Sequence, residues 1–419
     1  MKPSSPYDLI VIGGGAAGFF GAICTAALNP GLQILILEKS VKLLSKVKVS
    51  GGGRCNVTHH CFEPALLAKH YPRGQKELKK LFYRFNAADT VAWFEKHQVK
   101  LKAEEDGRMF PQSNSSQTII DCFLREADKH SIRIKTGCEV LQLTREQDFF
   151  AVRCKDETFK ASKILVATGG HSKPGNYKWL AELNHTIVNP VPSLFTFNDP
   201  ARTLASLMGV AVSDAEVKIA GTKFIQRGPV LITHWGLSGP AVIKLSAWAA
   251  VELHRLDYTF TALVNWTGQP EAQVREALML LKNQRSKKNI AANPMFNLPK
   301  RLWEFLTHKA GITPEKTWGE ASHKGINKLI ELLYACAFPV KGKTTFKEEF
   351  VTCGGMDWQE IDLTTMESKL IPGLYFAGEV INADGETGGF NFQAAWTTAW
   401  VAAQAVAQTE NHKKSLQVD

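Results

Sequence analysis

The pattern Gly13-x-Gly15-x-x-Gly18 constrains this chain most, because it stands between a strand pattern and a helix pattern. Tyr7 to Ile12 is a short apolar run, an Ala/Phe/Leu stretch continues to about Leu28, and Gln33 to Leu37 reads as a second strand. Strand, helix and strand in that order make a βαβ unit, which places its strands parallel in a sheet covered by helices. Each glycine has a mechanical job. The first makes the turn, the second lets backbone approach a pyrophosphate, and the third lets helix pack on strand. The helix start adds free N–H groups and partial positive charge for phosphates. Glu38, at the end of the second strand, is placed to accept hydrogen bonds from adenosine ribose hydroxyls. Gly13, Gly15, Ala16, Ala17, Gly18, Glu38 and Lys39 are the expected dinucleotide contacts.

Two more buried-strand patterns end in glycine: Lys163 to Ala167 in mid-chain, and Gly373 to Ala377 near the C-terminus. If all join one sheet, the nucleotide domain is discontinuous, spanning 1–190 and 345–408 around an insert. The insert is expected to hold a β-rich domain over 191–268 plus about 338–344, read as a small sheet or barrel. A helical, basic subdomain is expected over 270–337, and a frayed polar tail over 409–419. The class is therefore α/β, with a Rossmann-like domain carrying two inserted parts.

The C-terminal strand pattern runs into Gly378-Glu379, then Gly388-Gly389-Phe390-Asn391 before an apolar helical stretch to Ala407. This resembles the second FAD motif of glutathione-reductase-like flavoproteins, where the acid holds the ribityl chain. A helix start at Gly388-Gly389 would aim N–H groups at the N1/C2 edge of the flavin and stabilise its anionic reduced form. Between the motifs lies Ser50-Gly51-Gly52-Gly53-Arg54-Cys55-Asn56, suited to a loop wrapping pyrophosphate and flavin, with Arg54 charged to offset phosphate. Thr168-Gly169-Gly170 fits a strand-end turn crossing near the cofactor. FAD, rather than NAD, is the expected cofactor.

Together with Gly107-Arg108-Met109-Phe110-Pro111, the Thr233-to-Pro240 segment and Met366 to Lys369, these motifs resemble the BaiN/RdsA (YhiN-type) family of FAD-dependent oxidoreductases. The resemblance runs from about residue 7 to 405. It implies a Rossmann-like FAD domain with an inserted β-barrel and a small helical domain. Some members are dihydrouridine synthases for 23S ribosomal RNA, and others are assigned as aminoacetone oxidases or bile-acid reductases. The chain departs from the family pattern at His171 to Tyr177, at Thr352 to Met356, and at Asn382-Ala383-Asp384.

The formal net charge is +10, and from Pro270 to Lys343 there are 13 Lys/Arg against six Asp/Glu. Such an excess suits a polyanion, or simply solvated helix faces. It favours reduction of a uridine C5=C6 bond in ribosomal RNA over a small-molecule flavin oxidase or reductase; an RNA-binding flavoprotein without turnover is a third reading. Reducing C=C by hydride from flavin N5 also needs a proton. Cys55 is one candidate acid, or a small packed residue; His234 is a second candidate, and His171 a weaker one. Gly107 to Pro111 reads as a loop near the active site, in which Arg108 either recognises an anion or is a surface residue of a turn. No second GxGxxG is present, so NAD(P)H would bind transiently as electron donor. Eight scattered cysteines without CxxC argue against zinc or a disulfide framework and for a reducing, cytoplasmic setting. No apolar run reaches the roughly 18 residues of a membrane span. A monomer is expected.

Overall fold

The computed structural model describes residues 6–171, 173–284, 286–344 and 351–408. They fall into two compact units: the described residues of Met1–Ser193 with Lys347–Asp419, and those of Leu194–Phe346.

In the first unit, β1 (Tyr7–Ile12), α1 (Ala16–Leu28) and β2 (Ile34–Leu37) form the expected βαβ unit. β1 and β2 pair in parallel, Leu9 opposite Ile34. α2 (Ser45–Gly53) comes next, then β3 (Arg133–Lys135), β4 (Val140–Arg145), β5 (Phe150–Cys154) and β6 (Thr158–Val166). β7 (Leu374–Phe376) and α3 (Phe390–Gln408) close the unit. The sheet order is β3-β2-β1-β6-β5-β4, with β7 also on β6. One edge of β6 serves two neighbours: Thr158–Ala161 pairs antiparallel with β5, and Ile164–Val166 pairs parallel with β7. On its other side β6 pairs in parallel with β1, so β6 stands between β1 and the C-terminal strand and both glycine motifs emerge at the C-terminal ends of the parallel strands. Leu9–Ile12 of β1, all of β2 and the end of β6 are apolar and buried because helices cover them. Leu9, Ile10, Val11, Ile164, Leu165 and Val166 are wholly buried, each worth about 1.5–3 kcal/mol of transfer free energy. α1 packs close to the sheet at Gly21, where a Cβ would lie 2.7 Å from Leu165 Cδ2.

Segment 107–111, read from sequence as a loop, is different. Gly107 (φ +84°) makes a turn, and Arg108–Pro111 is the central strand between Thr58–His59 and Leu101–Ala103. It pairs with Leu101–Ala103 across a short hairpin and with Thr58–His59 far earlier in the chain, and its four residues show no polar–apolar alternation to announce it.

The second unit holds an antiparallel sheet of seven strands. Its order is Cys336–Lys341, Thr259–Asn265, Ala211–Ile219, Ile225–Ile232, Gly236–Ser238, Thr196–Asn198 and Lys343–Thr344. The two end strands are joined through Gly342 alone (φ +83°), so the sheet returns on itself, as a barrel does. Helices Glu271–Gln284, Lys300–Lys309 and His323–Tyr334 share one core with it, including Trp266, Trp303 and Trp318.

Candidate functional site

The site grows from the end of β1. Gly13 turns at φ +116°, and a Cβ there would sit 2.3 Å from Ala167 O. A Cβ on Gly18 would sit 1.9 Å from Gly13 O. The fold itself requires these two glycines. A Cβ on Gly15 would meet nothing within 4 Å, so the protein leaves open space there. The same holds for Gly52, Gly53 and Gly169. Glu38 bends back to this turn: Gly14 N–H donates to Oε2 and Ser40 N–H to Oε1, both at 2.8 Å. A cavity of about 540 Å³ opens here, lined by Gly13, Glu38, Lys39, Thr168, His171 and Trp179 among others. It lies outside the C-terminal ends of parallel strands, where open α/β sheets bind ligands.

The second motif meets the first in space. A Cβ on Gly378 would stand 2.8 Å from Ala17 Cβ. Glu379 follows, and a Cβ on Gly170 would strike its Oε1 at 2.5 Å. Lys46 Nζ, on α2, reaches Glu379 Oε2 at 2.7 Å, and Thr352 N–H donates to Oε1 at 2.9 Å. The Thr352 hydroxyl beside it is buried without a hydrogen-bond partner among the described residues.

α2 breaks at Ser50 (φ −60°, ψ +146°), and Gly51 and Gly52 turn left-handed. Arg54, expected at phosphate, spends its guanidinium on Glu104 (2.6 Å) and lies over the Phe110 ring. Arg108 joins the same cluster through Glu104 and Asp106. Cys55 is fully buried at φ +60°. Burial pushes its thiol up to about 12, against a hydrogen bond with Ser50. With its amide oriented to satisfy both ends, Asn56 accepts from Gly389 N–H (3.0 Å) and donates to Thr58 O and Met109 O. The glycine loop is thereby tied to the start of α3. Asn391 brackets the approach, accepting from Gly385 N–H (2.9 Å) and donating to Gly385 O (3.0 Å).

His171 is on the cavity wall; His234 belongs to the second unit, between strands, with its ring edge-on to Trp235 at 4.2 Å. The sequence reading missed several neighbours of the site. Lys46 is one, since its partner Glu379 is 333 residues away. His59 and His70 are others: both rings lie against Phe390, at 4.7 and 4.2 Å, and 5.9 Å from each other, and His70 Nδ1 lies 3.1 Å from Glu386 Oε2. Asp384 is wholly buried and paired with Arg73 (Nε–Oδ1 2.5 Å) and Ser193 (2.7 Å). Burial raises its carboxyl, while Arg73 opposes that shift. Only spatial assembly links these residues.

These features fit FAD. Glu38 suits the adenosine ribose, open Gly15 at the start of α1 suits the pyrophosphate, and Glu379 with the free Thr352 hydroxyl suits the ribityl chain. Gly388-Gly389 suits the pyrimidine edge of the flavin. Among the described residues no His/Cys/Asp/Glu group could hold a metal ion, and no helix is long and apolar enough to cross a membrane.

Fold and site together define a flavoprotein with a Rossmann-type FAD-binding domain. The family model described as HI0933-like protein Rossmann domain matches residues 7–405, and the chain belongs to that family. It is 31% identical to the ribosomal RNA dihydrouridine synthase of Escherichia coli over 95% of this chain and 97% of that protein. It is 29% identical to the Haemophilus influenzae protein of the same name, covering 95% and 98%. It is 25% identical to a 3-dehydro-bile acid delta(4,6)-reductase of Clostridium scindens, covering 95% and 98%. In fold it resembles the 3-ketosteroid-delta4-(5alpha)-dehydrogenase of Rhodococcus jostii RHA1, with TM-score 0.53 at 13% identity over 97% of this chain and 98% of that one.

Proposed function

We propose that this chain is a FAD-dependent reductase that saturates the C5=C6 bond of a uridine in ribosomal RNA, giving dihydrouridine. The observation that carries the reading is full-length likeness to two relatives bearing that name. Bound at the site, FAD supplies a two-electron hydride source. The chain's own part is to hold it and to deliver one proton to the neighbouring carbon. Gly15, Glu38, Lys39 and the Thr168–Gly170 turn serve the adenosine diphosphate half; Gly52, Gly53, Asn56, Glu379 and the Gly388–Asn391 segment serve the ribityl and flavin half. Cys55 is the proposed proton donor from its place in the glycine loop; burial pushes its thiol up to about 12, which keeps it protonated and makes it a weak acid. His234 is the proposed substrate contact in the second unit. Electrons come from a transiently bound NAD(P)H, and the enzyme works as a cytoplasmic monomer.

A second reading, reduction of a small-molecule enone, rests on the equally long likeness to the bile acid reductase. Mass spectrometry of ribosomal RNA from a strain lacking this gene decides between them. Loss of one uridine carrying two extra hydrogens, restored by the gene, is expected. An unchanged set of dihydrouridines sends the assignment to the small-molecule class.

A further inference from the structure

Residues 69–84 form a second basic run, six Lys/Arg against the single acid Glu77. Two of the six are engaged inside the chain: Arg73 with Asp384, and Arg84 with the Thr364 carbonyl, its guanidinium near the Trp400 ring. The other four are exposed lysines, and the helix Gln75–Phe82 sorts three of them. Leu78, Leu81 and Phe82 are buried, with the Phe82 ring 5.4 Å from that of Tyr71. Lys76, Lys79, Lys80 and Tyr83 stand at i, i+3, i+4 and i+7, so they share the opposite face. Tyr83 keeps helical geometry (φ −69°, ψ −14°), which holds it in that register. All four are exposed, Tyr83 by 65%. Among the described residues none of these three lysines has a hydrogen bond or ion pair, and Tyr83 meets no other ring. Glu77, half-buried on the flank, engages none of them.

The chain leading into this helix is pinned to the flavin end of the site. Tyr71 Oη donates to Phe390 O (2.6 Å), and the His70 ring lies against that of Phe390. Arg73 holds Asp384, and Gly74 turns at φ +75°, where a Cβ would lie 3.0 Å from Ala383 Cβ. Residues 70–74 are thus tied to 383–390, which contains the Gly388-Gly389 turn, and the helix starts at the next residue. Cations alone fit any polyanion. An exposed aromatic ring at the end of their row adds a platform for an unpaired base, the combination used on single-stranded nucleic acid. An anionic membrane is the poorer fit, because this helix buries its apolar face instead of presenting it. We propose that the helix docks a single-stranded stretch of ribosomal RNA, with Lys76, Lys79 and Lys80 on phosphates and Tyr83 stacked on a base, and so presents the neighbouring uridine to the flavin. The docking face rests on the dihydrouridine reading given above. It is independent of the basic excess at 270–343, which belongs to the other unit.

The test uses full-length, FAD-loaded protein and ribosomal RNA purified from a strain lacking this gene. Lys79 and Lys80 lie in the last turn, where Glu would oppose the helix dipole. Gln, with nearly the helix propensity of Lys, is therefore the substitution. The triple variant Lys76→Gln, Lys79→Gln, Lys80→Gln should keep Tm, FAD content and chemical reduction of the flavin. It should bind the RNA at least about tenfold more weakly, with a log–log salt slope shallower by about two. Tyr83→Ala should bind at least about fivefold more weakly with the slope unchanged, since stacking releases no counterion, and Tyr83→Phe should bind as wild type does. Wild-type affinity and slope in the triple variant, or wild-type affinity in Tyr83→Ala, would overturn the docking face. So would capture of anionic lipid vesicles in place of RNA. If the triple variant fails to fold, Tyr83→Ala against Tyr83→Phe still decides. These failures remove the docking face alone while wild type still forms dihydrouridine in this RNA. Wild type that neither binds the RNA nor forms dihydrouridine in it removes the reading as well.

Discussion

A methyl group on Gly18 would lie 1.9 Å from the Gly13 carbonyl oxygen, whereas one on Gly15 would meet nothing within 4 Å. Gly15 is also extended (φ −95°, ψ −166°), a conformation open to any residue. The two substitutions should therefore fail in different ways. Gly18→Ala forces helix from turn and should cost about 3 kcal/mol or more, visible as a lowered Tm without flavin. Gly15→Val should leave that Tm unchanged and abolish FAD retention, because its side chain fills the space left for pyrophosphate. A Gly15→Val protein that stays yellow would mean the phosphates lie elsewhere. At Cys55 the pH argument has a definite sign. A proton donor works while protonated, and this thiol is protonated below about 12. Turnover should then show no loss attributable to Cys55 from about pH 6 to about pH 10, and Cys55→Ala should slow it by at least about 100-fold while FAD content and chemical reduction persist. Unchanged turnover in Cys55→Ala would leave the residue a packing role only.

Among elements, the start of α3 carries the tightest fit. Gly389 sits at φ +93°, and a Cβ there would approach Thr58 O to 2.5 Å and the Asn56 side-chain amide to 2.9 Å. Gly389→Ala should push the helix start off the Thr58–His59 strand, at a cost of about 1–3 kcal/mol. Bound flavin should weaken and its visible spectrum should shift; a normal spectrum with full occupancy would detach this helix from the flavin. Elements of this kind differ in how far sequence announces them. β1, α1, β2 and α3 are legible because their periodicity is local and their neighbours are close in sequence. Arg108–Pro111 was not, since it is four residues without alternation, set between its hairpin partner Leu101–Ala103 and the distant Thr58–His59. The candidate site divides in the same way. Glycines and acids at strand ends carry their mechanical reason in the motif itself. The Lys46–Glu379 and His70–Glu386 pairs, and the Glu104 that holds Arg54, exist only once distant segments meet. Arg54 shows the limit most plainly: its type suits phosphate, but the carboxylate beside it decides its use.

For the molecule as a whole, the substrate question turns on where the charge of +10 is free to act. Some of the basic residues between Pro270 and Lys343 are engaged within the chain. Arg275 pairs with Glu271, Lys328 with Glu331 and Lys300 with Glu304. Arg301 donates to the carbonyls of Ser206 and Met208, so reversing its charge would strike the fold before any partner. Lys287, Lys288 and Lys316 are exposed. Backbone bonds draw two of them together: Trp318 N–H donates to Lys288 O and Ile290 N–H to Lys316 O, each at 3.0 Å. These three are the better probe. Reversing them to Glu should leave Tm, FAD content and flavin reduction intact while weakening ribosomal RNA binding at least about tenfold, because phosphate contacts supply affinity without reading sequence. Wild-type affinity should fall with salt along a log–log slope of roughly −0.7 per phosphate contact on single strands, and the slope of the triple variant should be shallower by about two. Uridine itself would be read beside the flavin, unpaired or flipped. An enzyme for small enones gives the opposite pattern, with RNA binding weak and nearly indifferent to salt, and with the reversed variant as active as wild type. Affinity measured at two salt concentrations for both proteins separates the two, and equal slopes would remove this surface from RNA recognition.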